Sequence, residues 1–175
     1  MMQPFLDLDA RITTMINTLS VNYSYIRRFL FLITHTTGGT TNILYAVILF
    51  LFFKNTGHDI LILGLAAFAF QVPVYFLFKN IVKRERPYID LDIKLFINPP
   101  DRYSFPSGHS ASAILTTLIV SSKIPELFPY LLLWVICIFV SRVSLGIHYV
   151  SDVASGAILG AVSYQMSHII LSYVL

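Results

Sequence analysis

The stretch Ile60–Phe78, ILILGLAAFAFQVPVYFLF, runs for nineteen residues without a charged side chain. About 20 apolar residues in a helix cross the hydrocarbon core of a bilayer, so this run reads as a membrane span, with Pro73 placed to kink it. Composition agrees. Hydrophobic residues make up 56% of the 175-residue chain and charged residues only 12%, against about 25% charged in an ordinary soluble domain. The sequence therefore predicts one all-α domain over residues 1–175: a polytopic membrane bundle of about five to six spans plus an N-terminal interfacial helix.

Outward from that run, Lys54–Asp59 reads as a short polar turn. Before it, Arg27 and Arg28 open an apolar region reaching Phe53, interrupted by Thr36-Thr37-Gly38-Gly39-Thr40-Thr41; it is read as one spanning helix. Further back, Phe5, Leu8, Ile12, Met15, Ile16 and Leu19 recur at helical spacing over residues 4–20, the pattern of a helix lying in the membrane interface or packed on the bundle. Beyond the central run, residues 79–103 are polar and proline-bearing, long enough for a lid or binding surface. His109–Ser122, Leu127–Val140 and His148–Leu175 complete five candidate spans, with a turn at Lys123–Glu126. Ala154, Gly156, Ala157, Gly160 and Ala161 mark the last helix for close packing.

Other classes recede on the same evidence. A net charge of +3 with no basic tail argues against nucleic acid as a partner. The lone cysteine, Cys137, forms no internal disulfide. Asp7, Asp9 and Arg11 interrupt the first dozen residues, so no signal peptide is read there. No repeat of paired halves suggests a transporter.

Counting spans brings four helix ends to one side of the membrane. They carry Lys79 with Arg86, Ser107 with His109, Arg142, and His148 with Asp152. Each cation alone reads as an ordinary flank or a side chain snorkelling to the headgroups. Together they repel one another unless an anion lies between them, and Arg forks match phosphate oxygens. In Ser104-Phe105-Pro106-Ser107-Gly108-His109-Ser110, Pro106 suits the first turn of a helix and Gly108 lets backbone approach an anion. His148 and Asp152, at i and i+4, are expected on one helix face. The carboxylate would orient the imidazole for attack, and His109 could protonate a leaving oxygen. His35, His58 and His168 lack such partners and read as structural.

Lys79-x6-Arg86-Pro87, Pro106-Ser107-Gly108-His109 and Ser141-Arg142-x5-His148-x3-Asp152 resemble the three signature motifs of the type 2 phosphatidic acid phosphatase (PAP2) superfamily, in order and internal spacing, across residues 79–152. The resemblance implies an integral membrane phosphatase acting on a lipid phosphate or diphosphate without metal or other cofactor. Lys79, Arg86 and Arg142 would hold phosphate oxygens, helped by Ser107 and the Gly108 N–H. His148 would become a phosphohistidine, oriented by Asp152, with His109 as acid. Candidate substrates are phosphatidic acid, phosphatidylglycerophosphate, undecaprenyl diphosphate and a lipid A phosphate.

Three alternatives compete. One is a metal hydrolase with His109, His148 and Asp152 as ligands, another a serine hydrolase using Ser107, and the third an anion transporter or channel. Orientation divides the signals. Ten of the twelve Lys and Arg fall on the active side, which by the positive-inside rule would be cytoplasmic. The family points to the periplasmic or extracellular face of the cell membrane, and this reading is preferred because Lys83, Arg84, Lys94 and Arg102 in the substrate loop can serve to attract anions.

Overall fold

The computed structural model describes residues 3–174, and every regular element among them is helical. In order these are α1 (Gln3–Asn22), α2 (Ser24–Thr34), α3 (Gly39–Phe52), α4 (Lys54–Val82), α5 (Pro87–Asp90), α6 (Gly108–Lys123), α7 (Phe128–Ser144) and α8 (Val150–Val174). A 3-10 turn at Pro125–Leu127 joins α6 to α7. This is the expected all-α bundle, its five anticipated spans corresponding to α3, α4, α6, α7 and α8. Of these, α4, α7 and α8 are long and apolar enough to cross a membrane. α3 has 14 residues, and α6, with 16, rises only about 24 Å. Leu175 and the side chain of Phe5 lie outside the described residues.

α6 forms the centre, packed against α8, α7 and α4, with Ala111, Ala113, Leu115 and Ile119 buried. Between lipid-embedded helices the hydrophobic effect supplies little net attraction, so close packing does most of the holding. A Cβ at Gly156 would stand 2.3 Å from the Ser107 carbonyl oxygen, and one at Gly160 the same distance from that of Ala111. α8 therefore lies backbone-to-backbone on α6, as its small residues predict. The outer surfaces of α3 and α7 expose Ile43, Leu44, Leu51, Phe52, Leu133 and Ile136, side chains suited to lipid.

Several expectations need correction. Residues 27–53 form two helices. Thr36 Oγ1 donates to the Ile33 carbonyl at 2.7 Å, closing α2, and Gly38, at φ 140°, turns the chain through a conformation closed to other residues. Lys54–Asp59 is the first part of α4 rather than a turn, because the left-handed Lys54 (φ 40°) turns the chain in a single residue. Pro106 lies outside α6: Ser107 is the cap, its Oγ accepting from the Ser110 N–H at 3.3 Å, so helix begins only at Gly108. His148 precedes α8, and its relation to Asp152 passes through a turn.

α1 packs on the bundle, but by its polar face. Asp9, Thr13, Asn17 and Ser20 are buried, whereas Leu6, Leu8, Met15 and Leu19 are exposed. Asn17 Nδ2 donates to the carbonyls of Lys94 and Ser144, each at 2.9 Å, and the apolar stripe is left for lipid. The same polar face covers the first N–H groups of α8: Thr13 Oγ1 accepts from Val150 N–H at 3.3 Å and Asp9 Oδ1 from Ser151 N–H at 3.0 Å, helix-end groups that polar side chains satisfy where leucines would not.

Candidate active site

The ends of α4, α6 and α7 and the turn before α8 meet at one end of the bundle, as span counting predicts. Lys79 comes from the last turns of α4, Arg86 from the residue before α5, Arg142 from the last turn of α7. All three are buried, with relative exposures of 5%, 1% and 3%. They are therefore neither a basic flank nor snorkelling side chains. Asp101, in the irregular chain between α5 and α6, meets two of them: its Oδ2 lies 2.8 Å from Lys79 Nζ and its Oδ1 2.6 Å from Arg86 Nη2. Tyr75 OH donates to the same Oδ2 at 3.1 Å. Two further Arg86 nitrogens are committed to backbone, Nη1 to Ile147 O at 2.6 Å and Nε to Asp101 O at 3.1 Å.

Arg142 differs. Its Nη1 donates to Thr34 Oγ1 at 2.7 Å, and among the described residues its Nε has no partner. Among the described residues no carboxylate comes within ion-pair distance of it. A buried guanidinium without a counter-charge is costly. One carboxylate against three cations leaves the wall net positive.

The histidines face the same space. His109 stands on the first turn of α6, and a Cβ at Gly38 would lie 3.7 Å from its Nε2, so the α2–α3 break roofs this ring. His148 Nδ1 is 3.6 Å from Asp152 Oδ2, longer than a good hydrogen bond, and has no closer partner. Burial drives the His148 imidazole down to about 4, against the opposing pull of Asp152, leaving it a neutral base at ordinary pH.

Asp152 is held firmly. Its Oδ1 accepts from Arg84 Nη1 and its Oδ2 from the Tyr149 N–H, both at 2.9 Å. The second contact reaches back from the third residue of α8 to the residue before the helix, in the manner of a capping box. Arg84 also pairs with Asp9 of α1 at 2.8 Å and lies over the Tyr149 ring at 3.7 Å. Ser151 Oγ bonds both Arg84, at 2.6 Å, and Asp9. Ser107 N–H donates to the Asp152 carbonyl at 3.0 Å, tying the start of α6 to the start of α8.

Lys79, Arg86, Gly108, His109, Arg142 and His148 all line one cavity of about 290 Å³, which continues past Asp101 and Tyr75 to Gln71 and the apolar Phe68, Val72 and Phe76. Ser107 and Asp152 stand behind that wall. All eight predicted site residues are thus gathered at one place. His35 bonds the Phe31 carbonyl at 2.7 Å and lines a side recess next to His109 rather than the main cavity. Sequence reasoning gave no site role to Asp101, Tyr75, Thr34 or Asp9, and expected Arg84 to attract anions, whereas it is consumed in ion pairs behind Asp152. No spacing in the sequence marks Arg84 for that place.

Comparison with known proteins follows the same lines. A family model described as the PAP2 superfamily matches residues 59–174. A decaprenylphosphoryl-5-phosphoribose phosphatase of Mycobacterium tuberculosis is 35% identical over 101 residues, 58% of this chain and 55% of that protein. Its namesake in Mycolicibacterium smegmatis is 36% identical over 78 residues, 45% of this chain and 42% of the relative. The match thus spans only about half the length of these curated relatives. Among solved structures, LpxE of Aquifex aeolicus superposes with a TM-score of 0.77 at 23% identity, covering 90% of this chain and 92% of the other. A PAP2-type phosphatidylglycerolphosphate phosphatase from Bacillus subtilis gives 0.77 at 21% identity, covering 99% and 89%. At those identities the likeness is one of fold.

Proposed function

This chain belongs to the PAP2 superfamily, and on that premise we propose that it is an integral membrane phosphatase removing phosphate from a lipid phosphomonoester or diphosphate, without a metal, through a phosphohistidine on His148. The observation that carries the reading is the buried Arg142, which has no carboxylate partner among the described residues and shares one cavity wall with Lys79, Arg86 and two histidines. A phosphate dianion there satisfies all three cations at once.

The chemistry follows from position. Nδ1 of His148 faces Asp152, which leaves Nε2 to attack phosphorus as the bond to the leaving oxygen breaks. The imidazole becomes cationic as it attacks, and the fixed Asp152 carboxylate favours that charge. Lys79, Arg86, Arg142 and the Gly108 N–H hold the equatorial oxygens, whose charge persists through the transition state. Ser107 shapes this cradle from behind, through its cap on α6. His109 gives its proton to the leaving oxygen, then takes one from the water that cleaves the P–N bond, so phosphate leaves and both histidines are restored.

As metal ligands, His109, His148 and Asp152 are badly disposed, because both Asp152 oxygens are already engaged by Arg84 and Tyr149 and cations crowd the site. Against a transporter, the buried ionisable side chains named above gather at one end of the bundle. We take residues 1–175 as one catalytic domain of the cell membrane, its active end periplasmic or extracellular. Arg84 and Arg102 are spent in ion pairs there. Substrates in scope are phosphatidic acid, phosphatidylglycerophosphate, undecaprenyl diphosphate, a lipid A phosphate and, from the curated relatives, a polyprenyl-linked sugar phosphate. The test is phosphate release from this panel by purified protein, with chelator present throughout. Turnover lost in His148→Ala and untouched by chelator supports the reading; full turnover in that variant refutes it.

A further inference from the structure

We propose that Asp101 is a built-in competitor for the substrate's phosphate, a charge gate that makes the site select dianionic phosphate over the monoanionic phosphodiesters abundant in any membrane. The inference rests on the phosphatase reading above and names what that site excludes.

The geometry is that of a carboxylate standing in for phosphate. Its two oxygens occupy Lys79 Nζ and Arg86 Nη2 at 2.8 and 2.6 Å, a two-point grip of the kind phosphate oxygens make on such donors. Arg86 has little else to offer an incoming ligand. Its Nη1 and Nε are already engaged by the carbonyls of Ile147 and Asp101, so Nη2 is the nitrogen most available to phosphate, and Asp101 holds it.

The two sides of this contact differ in freedom. The Lys79 and Arg86 side chains are 6% and 1% exposed, while that of Asp101 is 35% exposed. Asp101 lies in chain without regular structure, after Pro99 and Pro100. The acid can withdraw to water; the cations cannot. Burial raises the Asp101 carboxyl, but the hydrogen bonds and charges of Lys79 and Arg86 outweigh it and hold it below its ordinary value, so the competitor is ionised wherever the enzyme works.

Selectivity follows from charge. A ligand that displaces a carboxylate from two cations must offer more than one negative charge to gain by the exchange. A phosphate monoester or terminal diphosphate dianion does; a phosphodiester headgroup does not. Arg142, which Asp101 does not reach, is left to meet the added charge.

The experiment compares wild type with Asp101→Asn and Asp101→Glu in detergent micelles. It reads inhibition by orthovanadate and inorganic phosphate, KM for a lipid phosphomonoester, and inhibition by phosphatidylglycerol added to the micelles. For Asp101→Asn we expect about tenfold tighter vanadate and phosphate inhibition, a several-fold lower KM, and new inhibition by phosphatidylglycerol. Asp101→Glu, which keeps the charge, retains the wild-type response to vanadate and shows no inhibition by phosphatidylglycerol whatever its turnover, and covers the case in which the Asn variant fails to fold: tightened vanadate inhibition in the Glu variant overturns the proposal. Weaker vanadate binding and a higher KM in Asp101→Asn would show a residue that only positions the cations, and unchanged values would show one with no part in binding; either overturns it. A wild type insensitive to vanadate and phosphate would instead remove the phosphatase reading itself.

Discussion

Replacing Arg84 by Met tests whether the support behind Asp152 is energetic or incidental. The substitution keeps most of the apolar stem over Tyr149 and removes the guanidinium. It strands two carboxylates, Asp9 with a side chain 3% exposed and Asp152 at 0%, from a cation at 2.8 and 2.9 Å. Breaking a buried pair by deleting one partner costs about 3–5 kcal/mol. Arg84 is itself 21% exposed, so water relieves part of that loss and about 3 kcal/mol is expected. Asp152 also loses one of its two charge-fixing donors, so kcat falls about tenfold or more while KM moves little, since Arg84 lines no part of the cavity. The assay is reversible denaturation in mixed micelles beside phosphate release. Its decisive arm is Asp9→Asn, destabilising in wild type but stabilising by about 1 kcal/mol in the Arg84→Met background, where it removes a stranded charge. Loss of less than about 0.5 kcal/mol in Arg84→Met, with additive effects of the two substitutions, would refute the argument from buried charge.

Three further outcomes follow from the same structure. Gly156→Ala drives a Cβ to 2.3 Å from the Ser107 carbonyl oxygen and should cost about 1–3 kcal/mol with reduced turnover, as the start of α6 is pushed off α8; Gly64→Ala, with nothing within 4 Å of the added atom, is the near-neutral control, and equal effects would contradict the close approach. Because burial holds His148 near 4, the imidazole stays neutral as pH falls from 7 to 5 and takes up its proton only below that; ring-labelled NMR, assigned with His148→Ala, should find no titration near the ordinary 6.5. Lys94 is exposed on the active side, so Lys94→Cys in a Cys137→Ser background should react with an impermeant maleimide applied to intact cells, and protection would reverse the proposed orientation.

The bundle was legible because hydropathy and length act locally. Ile60–Phe78 declares a span whatever its neighbours, and Gly156 and Gly160 announce a close approach. The eight residues that line or back the cavity were legible as a group because three short motifs hold them in order. The same local reasoning erred at 27–53, where apolar content outweighed a Thr-Gly break, and on α1, where a regular apolar stripe hid the fact that its polar stripe faces inward. Nothing in the spacing of Asp9 and Arg84 announces that they meet.

By itself, then, the sequence determined a membrane-spanning helical protein and the side chains that could handle a phosphate. Only the tertiary structure decided how charge is distributed among them. Asp101 lies on Lys79 and Arg86, Arg84 ties Asp9 to Asp152, and among the described residues Arg142 is left without a carboxylate. The reason is that hydropathy adds along the chain residue by residue, while the energy of a charge depends on burial and on distances of a few ångströms between groups 15 to 75 residues apart, which only the fold sets.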